Sequence, residues 1–543
     1  MSSGSIEHIL SRLAVFGVLS AAACGAGADY DLQLRPIVPQ NQTPFEQIDS
    51  LQLILEHANG ETERHILDGI SGSPTLSELG ILEGSVIRLE AIVNEEIVAT
   101  GRSSTFDLAT GQQEKNILVA NVEDLAWLED HTAGLFQPGI TALGNGRFLI
   151  AGGLTMNSSS NAGRRGKKIY ELNLADPADP IFLEEVGEMP SYPAGIGGEN
   201  GMAVNRHGAT TVLLTQGRHA GKVLIAGGTN QLFESQNVTN TAFLFDPESG
   251  VIESLPEEEQ LNEHHYLHNT VMDASGNVVV LGGWDQTNDG FLSIQDKFDF
   301  FNASTGQFDQ SAKNRTLRSA GAFGMAAALG TAGVVHCGGA MISQGDTWKT
   351  LAECSLITPS GELSDEIPDM PQALSHGVMI AISDTEVLVM GGVNVPDLVD
   401  IGAENSATDL VFHYDHALNK WRTLEGLQAK RANAAVSLLP DGRILVLGGR
   451  QGADLFAYSA TPQDGILSCV EIYDPSAALN QSGSASTMLE GCTSSQATSL
   501  LPTRAHSIVT AQDPDFGIIT LGGLNSDGSQ PSISYWPFKP TSN

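Results

Sequence analysis

The sequence has few basic residues and no long hydrophobic run. Lys and Arg total 27 against 64 Asp and Glu, which gives a formal net charge of −37. A surface this acidic repels phosphate groups and anionic lipid headgroups, which argues against a nucleic-acid partner and against electrostatic docking on a membrane. No stretch of 18 apolar residues occurs, so the sequence contains no candidate membrane-spanning helix.

Signatures of common enzyme classes are also missing. The chain carries no GxSxG, P-loop, HExxH or CxxC motif, and no DxDxDG spacing for Ca²⁺. The acidic run at residues 257–259 is therefore expected to be a solvated loop. We predict from these absences a non-catalytic protein with no cofactor and no metal site.

The first 24 residues have the pattern of an export signal. An apolar run from Leu13 to Ala23 follows Arg12 and is too short to span a bilayer. Ala21-Ala22-Ala23-Cys24-Gly25 resembles the lipobox of bacterial lipoproteins, in which the Cys is lipidated and becomes the mature N-terminus. The resemblance implies lipidation of Cys24 and a place in the outer membrane or at the cell surface, with the periplasm as the alternative. An ordinary cleaved signal with an incidental Cys is the other interpretation.

Export changes how the remaining cysteines are interpreted. Four are left after Cys24, and in an oxidising compartment they are expected to form disulfides rather than catalytic thiols. Four cysteines allow three pairings. We predict Cys337–Cys354 and Cys469–Cys492, because each of these pairs falls inside one of the repeats described next.

Glycine is abundant, with 59 of 543 residues, and much of it recurs in pairs. Seven β-branched or aliphatic runs end in Gly-Gly, for example Val278-Val279-Val280-Leu281-Gly282-Gly283. An apolar run of this length predicts a strand buried on both faces, and a Gly pair at its end allows positive φ and close backbone approach. The pairs are Gly152-Gly153, Gly227-Gly228, Gly282-Gly283, Gly338-Gly339, Gly391-Gly392, Gly448-Gly449 and Gly522-Gly523.

Other features recur in phase with the pairs. A turn such as Pro440-Asp441-Gly442-Arg443 precedes the apolar run and predicts a hairpin. A further strand and turn follow the pair, as at Tyr414-Asp415 with Trp421 beyond. The strand upstream of the hairpin opens with His or Arg, and the His residues assigned to that slot are His268, His376 and His506.

The double Gly, the Tyr-Asp pair and the later Trp resemble the kelch repeat family over roughly residues 122–540. Each kelch repeat is a four-stranded blade that cannot bury its own faces, so the resemblance implies an all-β fold with seven blades in a β-propeller ring. The last repeat lacks a fourth strand, and we expect a strand from residues 119–128 to supply it. Residues 29–120 lack the Gly-Gly signal, and their short strands and turns predict a small β-sandwich domain of immunoglobulin-like type.

The loops after the Gly pairs are the candidate binding face. Exposed aromatic and Arg side chains on a rigid scaffold are typical of recognition surfaces, and a Trp face suits a sugar ring. Asx-turns explain the recurring Asn and Asp as well, and packing under its own loop explains Trp348. The candidate residues are Asn230, Trp284, Asp285, Trp348, Asn394, Arg450 and Asn525, accompanied by Arg164 and Arg165.

The segment from Glu263 to His268 is the densest His cluster in the sequence. His264 and His268 are four residues apart, which on a helix would suit a metal ion. Because His268 falls in the slot that opens each repeat, we interpret it as a repeat element.

Two classes of function follow from these features. We predict an exported, monomeric binding protein that uses the loop face for a protein or glycan ligand and reaches a membrane only through its lipid anchor. The alternative is a propeller enzyme of carbohydrate metabolism, because kelch-type propellers include copper-radical oxidases and a sialic acid mutarotase. The oxidases need a Cys cross-linked to a Tyr together with His ligands, so disulfide bonding of all four cysteines would remove that chemistry.

Overall fold

The structure of the chain, a computed structural model, is almost entirely β, as the sequence predicts. It describes residues 17–22, 29–39, 41–67, 84–106, 111–128, 135–155, 167–177, 183–190, 206, 208–229, 238–286, 292–312, 315–318, 321–343, 347–364, 366–394, 407–451, 467, 469–489, 508–522 and 533–540. Within these ranges, no helix is both long enough and apolar enough to cross a membrane.

Two sheets are built from the N-terminal strands. These strands are β1 (Gly17–Ala22), β2 (Asp29–Ile37), β3 (Ser50–Glu56), β4 (Thr62–Leu67), β5 (Val86–Val93), β6 (Glu96–Arg102), β7 (Gly111–Leu118) and β8 (Ala120–Asn121). A three-stranded sheet has the order β1-β2-β7, and a five-stranded sheet has the order β4-β3-β5-β6-β8. Strands β2 and β7 are parallel, whereas the other neighbours are antiparallel.

One hydrophobic core joins these two sheets. Leu34 of β2 and Ile117 of β7 pack with Leu53 of β3 and Leu89 of β5. Because side chains alternate along a strand, the opposite face of the five-stranded sheet carries charged residues such as Arg88 and Glu90 together with the apolar Ile54 and Ile92. Strand β1 lies within the predicted export signal, and Cys24 falls outside the residues that the structure describes.

The remaining strands form seven four-stranded antiparallel sheets in the part of the chain that is described. A short strand, β9 (Ala126–Leu128), precedes them. Sheet 1 contains β10 (Leu135–Gly144), β11 (Arg147–Thr155), β12 (Lys168–Asn173) and β13 (Glu184–Glu188); sheet 2 contains β14 (Thr210–Leu213), β15 (Val223–Ala226), β16 (Ala242–Phe245) and β17 (Ile252–Ser254).

Sheets 3 and 4 each carry an additional two-stranded hairpin after the Gly pair. The hairpins are β20 (Trp284–Gln286) with β21 (Leu292–Ile294), and β26 (Ala340–Ser343) with β27 (Thr347–Thr350). Sheet 3 contains β18 (Asn269–Met272), β19 (Val278–Leu281), β22 (Phe298–Asn302) and β23 (Gln307–Phe308); sheet 4 contains β24 (Met325–Leu329), β25 (Gly333–Cys337), β28 (Cys354–Ile357) and β29 (Leu363–Ser364).

Sheets 5 to 7 complete the series. Short 3₁₀ turns lie at Glu257–Glu259, Gln310–Ala312 and Gly330–Ala332. Within the described ranges, an α-helix, α1 (Pro475–Asn480), follows the third strand of sheet 6. Sheet 5 contains β30 (Val378–Ser383), β31 (Glu386–Met390), β32 (Val411–Asp415) and β33 (Lys420–Leu424); sheet 6 contains β34 (Ala435–Leu438), β35 (Ile444–Leu447), β36 (Val470–Tyr473) and β37 (Ser486–Met488); sheet 7 contains β38 (Ile508–Asp513), β39 (Gly517–Gly522), β40 (Ile533–Pro537) and β9.

The seven sheets are joined in a closed ring through their first strands. Strand β10 contacts β14, which contacts β18, and the series continues through β24, β30, β34 and β38 back to β10. The expected closing strand is confirmed, because β9 pairs antiparallel with β40, where Ser534 lies opposite Trp127. A strand from the start of the ring thus completes its last sheet, and the arrangement is β-propeller-like.

The Gly pairs of sheets 1, 2, 4 and 5 each bond to the segment that leads into the next sheet. All twelve glycines of the first six pairs have positive φ, between 57° and 107°. In sheet 5, the Gly391 amide bonds the carbonyl of Leu410 in the same sheet, while the Gly392 amide bonds the carbonyl of Arg431 in sheet 6 at 2.8 Å. A Cβ on Gly391 would collide with that Arg431 carbonyl. The pair is therefore required both by backbone conformation and by the close approach of the next sheet.

In sheets 2, 3, 5 and 6 a residue just before the first strand packs against a residue on the third strand. In sheet 6 the pair is ionic, with Arg431 Nη2 at 2.6 Å from Glu471 Oε2 and both side chains buried. In sheet 3 it is His265 with Asp299, at 3.1 Å. In sheet 2, the Arg206 guanidinium lies 4.4 Å from the centre of the Phe243 ring. The equivalent positions in sheet 5 are the apolar Leu374 and Phe412.

The predicted disulfide between Cys337 and Cys354 is present, and it joins directly opposed residues of β25 and β28. Cys469 is also disulfide-bonded. Its predicted partner, Cys492, lies outside the described residues, so that pairing stays a prediction.

Candidate functional site

One position in each repeat brings side chains to the opening of the ring. Two residues before the first strand of each of sheets 3 to 6 lies a residue in the left-handed conformation: Leu267, Phe323, His376 and Asn433, with φ of 51°, 60°, 56° and 52°. The preceding residue in each case forms a β-bridge with the residue that follows the Gly pair, as Ser375 does with Val393. These four positions, which we call the rim, therefore lie at the diglycine end of the ring.

Backbone hydrogen bonds join the rim positions of sheets 4, 5 and 6. The amide of His376 donates to the carbonyl of Phe323 at 3.0 Å, and the amide of Asn433 donates to the carbonyl of His376 at 2.8 Å. Bulky residues such as Leu and Phe rarely adopt positive φ. All four rim positions have this conformation, and at His376 and Asn433 the bond to the preceding sheet holds the amide in place.

This register corrects the predicted His slot. Val378 of sheet 5 pairs with Met390, and Asn269 of sheet 3 pairs with Leu281, each the last residue before a Gly pair. His376 is therefore equivalent to Leu267, whereas His268 lies one position later. The prediction that His268 and His376 share one repeat position is wrong, and His506 lies outside the described residues.

Three aromatic rings meet on the rim between sheets 3 and 5. The Phe323 ring stacks on His376 with centroids 3.9 Å apart and an interplanar angle of 23°. The Trp284 ring meets Phe323 edge-on at 5.9 Å. Phe323 is half-buried, and together the three rings form an aromatic cluster, which we call the aromatic platform.

A polar cluster lies beside this platform, between sheets 2 and 3. Thr210 Oγ1 is 3.1 Å from His268 Nε2 and 2.6 Å from Thr270 Oγ1. His268 is buried, and burial lowers its pKa well below the ordinary value, with a smaller contribution from the neighbouring His265. The imidazole is therefore neutral at physiological pH and can donate or accept a hydrogen bond.

The expectation of exposed aromatic and Arg side chains is wrong for two candidates. Trp284 is 7 % exposed and Arg450 is 6 % exposed. Both directly follow a Gly pair and form the β-bridges to Tyr266 and Ala432, which places their side chains inside the packing of the rim. Trp284 thus supports Phe323 instead of presenting its own face.

Two further candidates have local partners. Asp285 Oδ1 is 3.4 Å from His264 Nδ1, and both side chains are partly exposed. Asn394 Nδ2 donates to the carbonyl of Ala373 at 2.6 Å, which ties its loop to the segment before the first strand of sheet 5. Asn230, Asn525, Arg164 and Arg165 lie outside the described residues, as does the side chain of Trp348.

Sheet 4 contains a buried His that the sequence analysis counted as part of an apolar run. His336 of β25 occupies the position held by Val280, Val389 and Val446 in other sheets. It is fully buried, and neither ring nitrogen has a hydrogen-bond partner among the residues that are described. Burial lowers its pKa to about 4, so the ring is neutral. A Cβ on the adjacent Gly324 would collide with it.

Sequence reasoning missed Phe323, although a signal for it exists. Counting back from the Gly pairs in sheet register places Phe323 at the same position as His376, which the sequence analysis did single out. The slot was defined by residue type, and Phe is neither His nor Arg.

The kelch resemblance in the sequence raises the alternative of copper-radical chemistry, and the residues that the structure describes do not fit it. In the ranges that the structure describes, no three His, Cys, Asp or Glu side chains lie close enough to share a metal ion. Cys337, Cys354 and Cys469, the cysteines of the described ranges, are disulfide-bonded, so none of these three offers a thiol for a bond to a Tyr.

No protein-family model matches the chain, and no curated protein matches it. Solved structures with a similar backbone include a fungal alcohol oxidase of the AA5 family in complex with copper, with 12% identity and a TM-score of 0.47 over 76% of this chain and 75% of that chain. Another is the structure of YjhT, with 13% identity and a TM-score of 0.40 over 64% of this chain and 96% of that chain. At these low scores, no statement about the activity of this chain follows from either structure.

Proposed function

We propose that the chain is a non-catalytic binding protein that recognises a carbohydrate at the rim. The observation that carries the proposal is the stack of Phe323 on His376, supported from behind by Trp284. The half-buried Phe323 ring offers an apolar face at the opening of a rigid ring, and Thr210, Thr270 and His268 supply hydrogen-bonding groups nearby. An apolar face beside a few placed polar groups is the usual composition of a small-ligand site.

In this proposal the ring is a seven-bladed propeller of kelch type, preceded by an immunoglobulin-like sandwich. The seven four-stranded sheets, their cyclic contacts and the closing strand β9 support the first part. The parallel pairing of β2 with β7 and the core shared by two sheets support the second.

Binding is tested by applying the mature protein to a glycan array, with a parallel pull-down for protein ligands. We expect carbohydrate binding by the unchanged chain and at least about tenfold weaker binding by Phe323→Asn, because the variant loses the stacking face. Asn is the residue at the equivalent rim position 433, so the variant keeps a side chain that tolerates positive φ. Gln481→Asn, a change at a residue with φ of 52° outside the rim, is the control. Carbohydrate binding that survives Phe323→Asn would refute the proposal.

The proposal includes export and lipidation at Cys24. Its support is the run of small residues before Cys24 and the short apolar stretch from Leu13 to Ala23. Metabolic labelling with a radioactive fatty acid, followed by mass spectrometry of membrane fractions, tests it. Label on the unchanged chain and none on Cys24→Ser is the expected result, and unlabelled, soluble protein in both cases would contradict it.

A sugar-ring isomerase similar to sialic acid mutarotases is the second candidate. The neutral His268 beside Thr210 favours it, because a neutral imidazole next to a hydroxyl can relay a proton to and from a sugar. NMR exchange measurements on reducing sugars separate the candidates. Faster anomer exchange that is lost in His268→Gln would establish catalysis, whereas binding without acceleration supports the non-catalytic proposal.

A further inference from the structure

The ring closes where sheet 7 meets sheet 1, and the strand that completes sheet 7 is short. Strand β9 has three residues and pairs with β40 along one edge. The other edge of an outer strand presents backbone N–H and C=O groups that need partners. Because three residue pairs are few for closing a ring of seven sheets, the remaining contacts of β9 matter.

Asn41, from the segment between β2 and β3, occupies that outer edge. Its Nδ2 donates to the carbonyl of Leu125 at 2.9 Å, and its Oδ1 accepts from the amide of Trp127 at 2.7 Å. In an antiparallel ladder, a neighbouring strand bonds the N–H and C=O groups of alternate residues. The Asn41 side chain therefore satisfies two groups of β9 that a fifth strand would otherwise bond.

Gln42 fixes the link between the N-terminal sheets and β9. It is buried, its Oε1 accepts from the amide of Asn121 at 2.9 Å, and its Nε2 donates to Asp124 Oδ2 at 3.0 Å. Asp124 Oδ1 in turn accepts from the amide of Leu125 at 2.8 Å. Asn41 and Gln42, which we call the clasp, thus hold the chain from residue 121 to residue 127.

The N-terminal sheets also contact both sides of the joint between sheets 7 and 1. Ile37 of β2 and Leu118 of β7 belong to one hydrophobic cluster with Phe148 of sheet 1 and Tyr535 of sheet 7. All four side chains are buried. Separating sheet 7 from sheet 1 would therefore expose apolar surface of the N-terminal sheets as well as of the ring.

Polar contacts reach the same two sheets. Asn116 Nδ2 donates to the carbonyl of Pro177, which follows the third strand of sheet 1, at 2.8 Å. Glu96 Oε2 is 2.7 Å from Lys539 Nζ, just beyond β40 of sheet 7. The third strands run antiparallel to the strands that lead to the Gly pairs. These contacts therefore lie at the end of the ring opposite the rim.

We propose that the N-terminal sheets keep the ring closed, and that the clasp is the contact that locks β9 into sheet 7. When the clasp is lost, β9 leaves β40 more often, and the joint between sheets 7 and 1 opens before the other joints do. The proposal concerns closure of the ring, so it stands or fails independently of the proposed carbohydrate binding.

Hydrogen–deuterium exchange of the full chain tests the clasp. Asn41→Ala removes both bonds to the edge of β9 from an exposed position. We expect at least about fivefold faster exchange in β9 and β40, because two hydrogen bonds that oppose local opening are lost. Strands β24 and β25 of sheet 4, on the far side of the ring, should exchange as in the unchanged chain.

Asn59→Ala is the matched control. Asn59 is also exposed, and its side chain makes two hydrogen bonds to Glu61 within the turn between β3 and β4. Because these bonds stay inside the N-terminal sheets, the control should leave exchange in β9 and β40 unchanged.

A second variant loosens the N-terminal sheets from within. Leu53 lies in the core that these sheets share, and Leu53→Ala should speed exchange in β3 and β5. If these sheets keep the ring closed, exchange in β9 and β40 should rise together with that in β3 and β5.

Three results would overturn the proposal. The first is unchanged exchange of β9 and β40 in Asn41→Ala. The second is faster exchange of β3 and β5 in Leu53→Ala while β9 and β40 stay as in the unchanged chain. The third is equal acceleration in all seven sheets of Asn41→Ala, because the clasp would then contribute to the stability of the whole chain and not to the joint.

Discussion

The buried ion pair between Arg431 and Glu471 allows a quantitative prediction about the free energy of unfolding. Both side chains are about 1 % exposed or less, and their contact of 2.6 Å lies between the first and third strands of sheet 6. Removing one member of a buried pair costs about 3–5 kcal/mol, because the other charge stays buried without compensation. Burial lowers the pKa of Arg431, and Glu471 opposes this shift.

The remaining contacts decide where in that range each single variant falls. In Arg431→Leu, Glu471 keeps the amide of Gln428 at 2.6 Å and the hydroxyl of Ser486, so we expect a loss near 3 kcal/mol. In Glu471→Phe, both of those donors lose their acceptor, and Arg431 keeps its bond to the carbonyl of Gly448 at 2.8 Å. We expect that variant to lose about 5 kcal/mol.

The double variant recreates a combination that the chain already uses. Sheet 5 has Leu374 and Phe412 at the equivalent positions, and both are buried. Arg431→Leu with Glu471→Phe should therefore lose about 2–3 kcal/mol less than the sum of the two single losses. Urea unfolding followed by tryptophan fluorescence measures all three variants.

An exposed pair provides the control for this cycle. Glu253→Gln breaks the contact of 3.0 Å with Lys222, in which Glu253 is 57 % exposed, and should change stability by less than about 1 kcal/mol. The prediction fails if the Arg431 and Glu471 single variants lose as little stability as this control. It also fails if the losses of stability in the double variant are strictly additive, because the pairs of the different sheets would then not be interchangeable.

Three further predictions follow from sheet 4 and the disulfides. Because the folded pKa of His336 is about 4 against 6.5 for the free side chain, its contribution to stability is complete above pH 6.5 and falls by at most about 3 kcal/mol as the pH drops toward 4. His336→Val removes the titrating group, so the urea midpoint should then fall less as the pH is lowered from 6.5 toward 4. An unchanged pH dependence would contradict the attribution of this acid sensitivity to His336. Gly324→Ala should lower the melting temperature, and His336→Val should restore it; loss without rescue would place the clash elsewhere. Alkylation of the denatured, unreduced protein labels free thiols, which peptide mass spectrometry detects. We expect no label on Cys337, Cys354, Cys469 or Cys492. A label on any of them would contradict the predicted pairing.

The features of the fold that could be predicted from sequence are those that repeat. A Gly pair after an apolar run is visible because the backbone there needs positive φ and admits no Cβ, as at Gly391. The closing strand β9 follows from counting strands, since sheet 7 lacks a fourth strand of its own. Both depend on backbone geometry, which any sequence of this fold must satisfy.

The candidate site was harder to predict because side-chain exposure depends on register. Trp284 was expected to be exposed, yet the β-bridge after the Gly pair turns it into the packing of the rim. In the register of their sheets, His268 lies one position later than His376, and residue type alone does not reveal this difference.

Hydrogen–deuterium exchange in the presence of the glycan selected on the array tests the rim most directly. Slower exchange of the backbone at residues 321–325 and 374–378, with the outer strands β13, β17 and β33 unchanged, is the predicted result. Protection confined to the outer strands or to the N-terminal sheets, with the rim exchanging as in the free protein, would contradict the claim that the ring opening is the binding site.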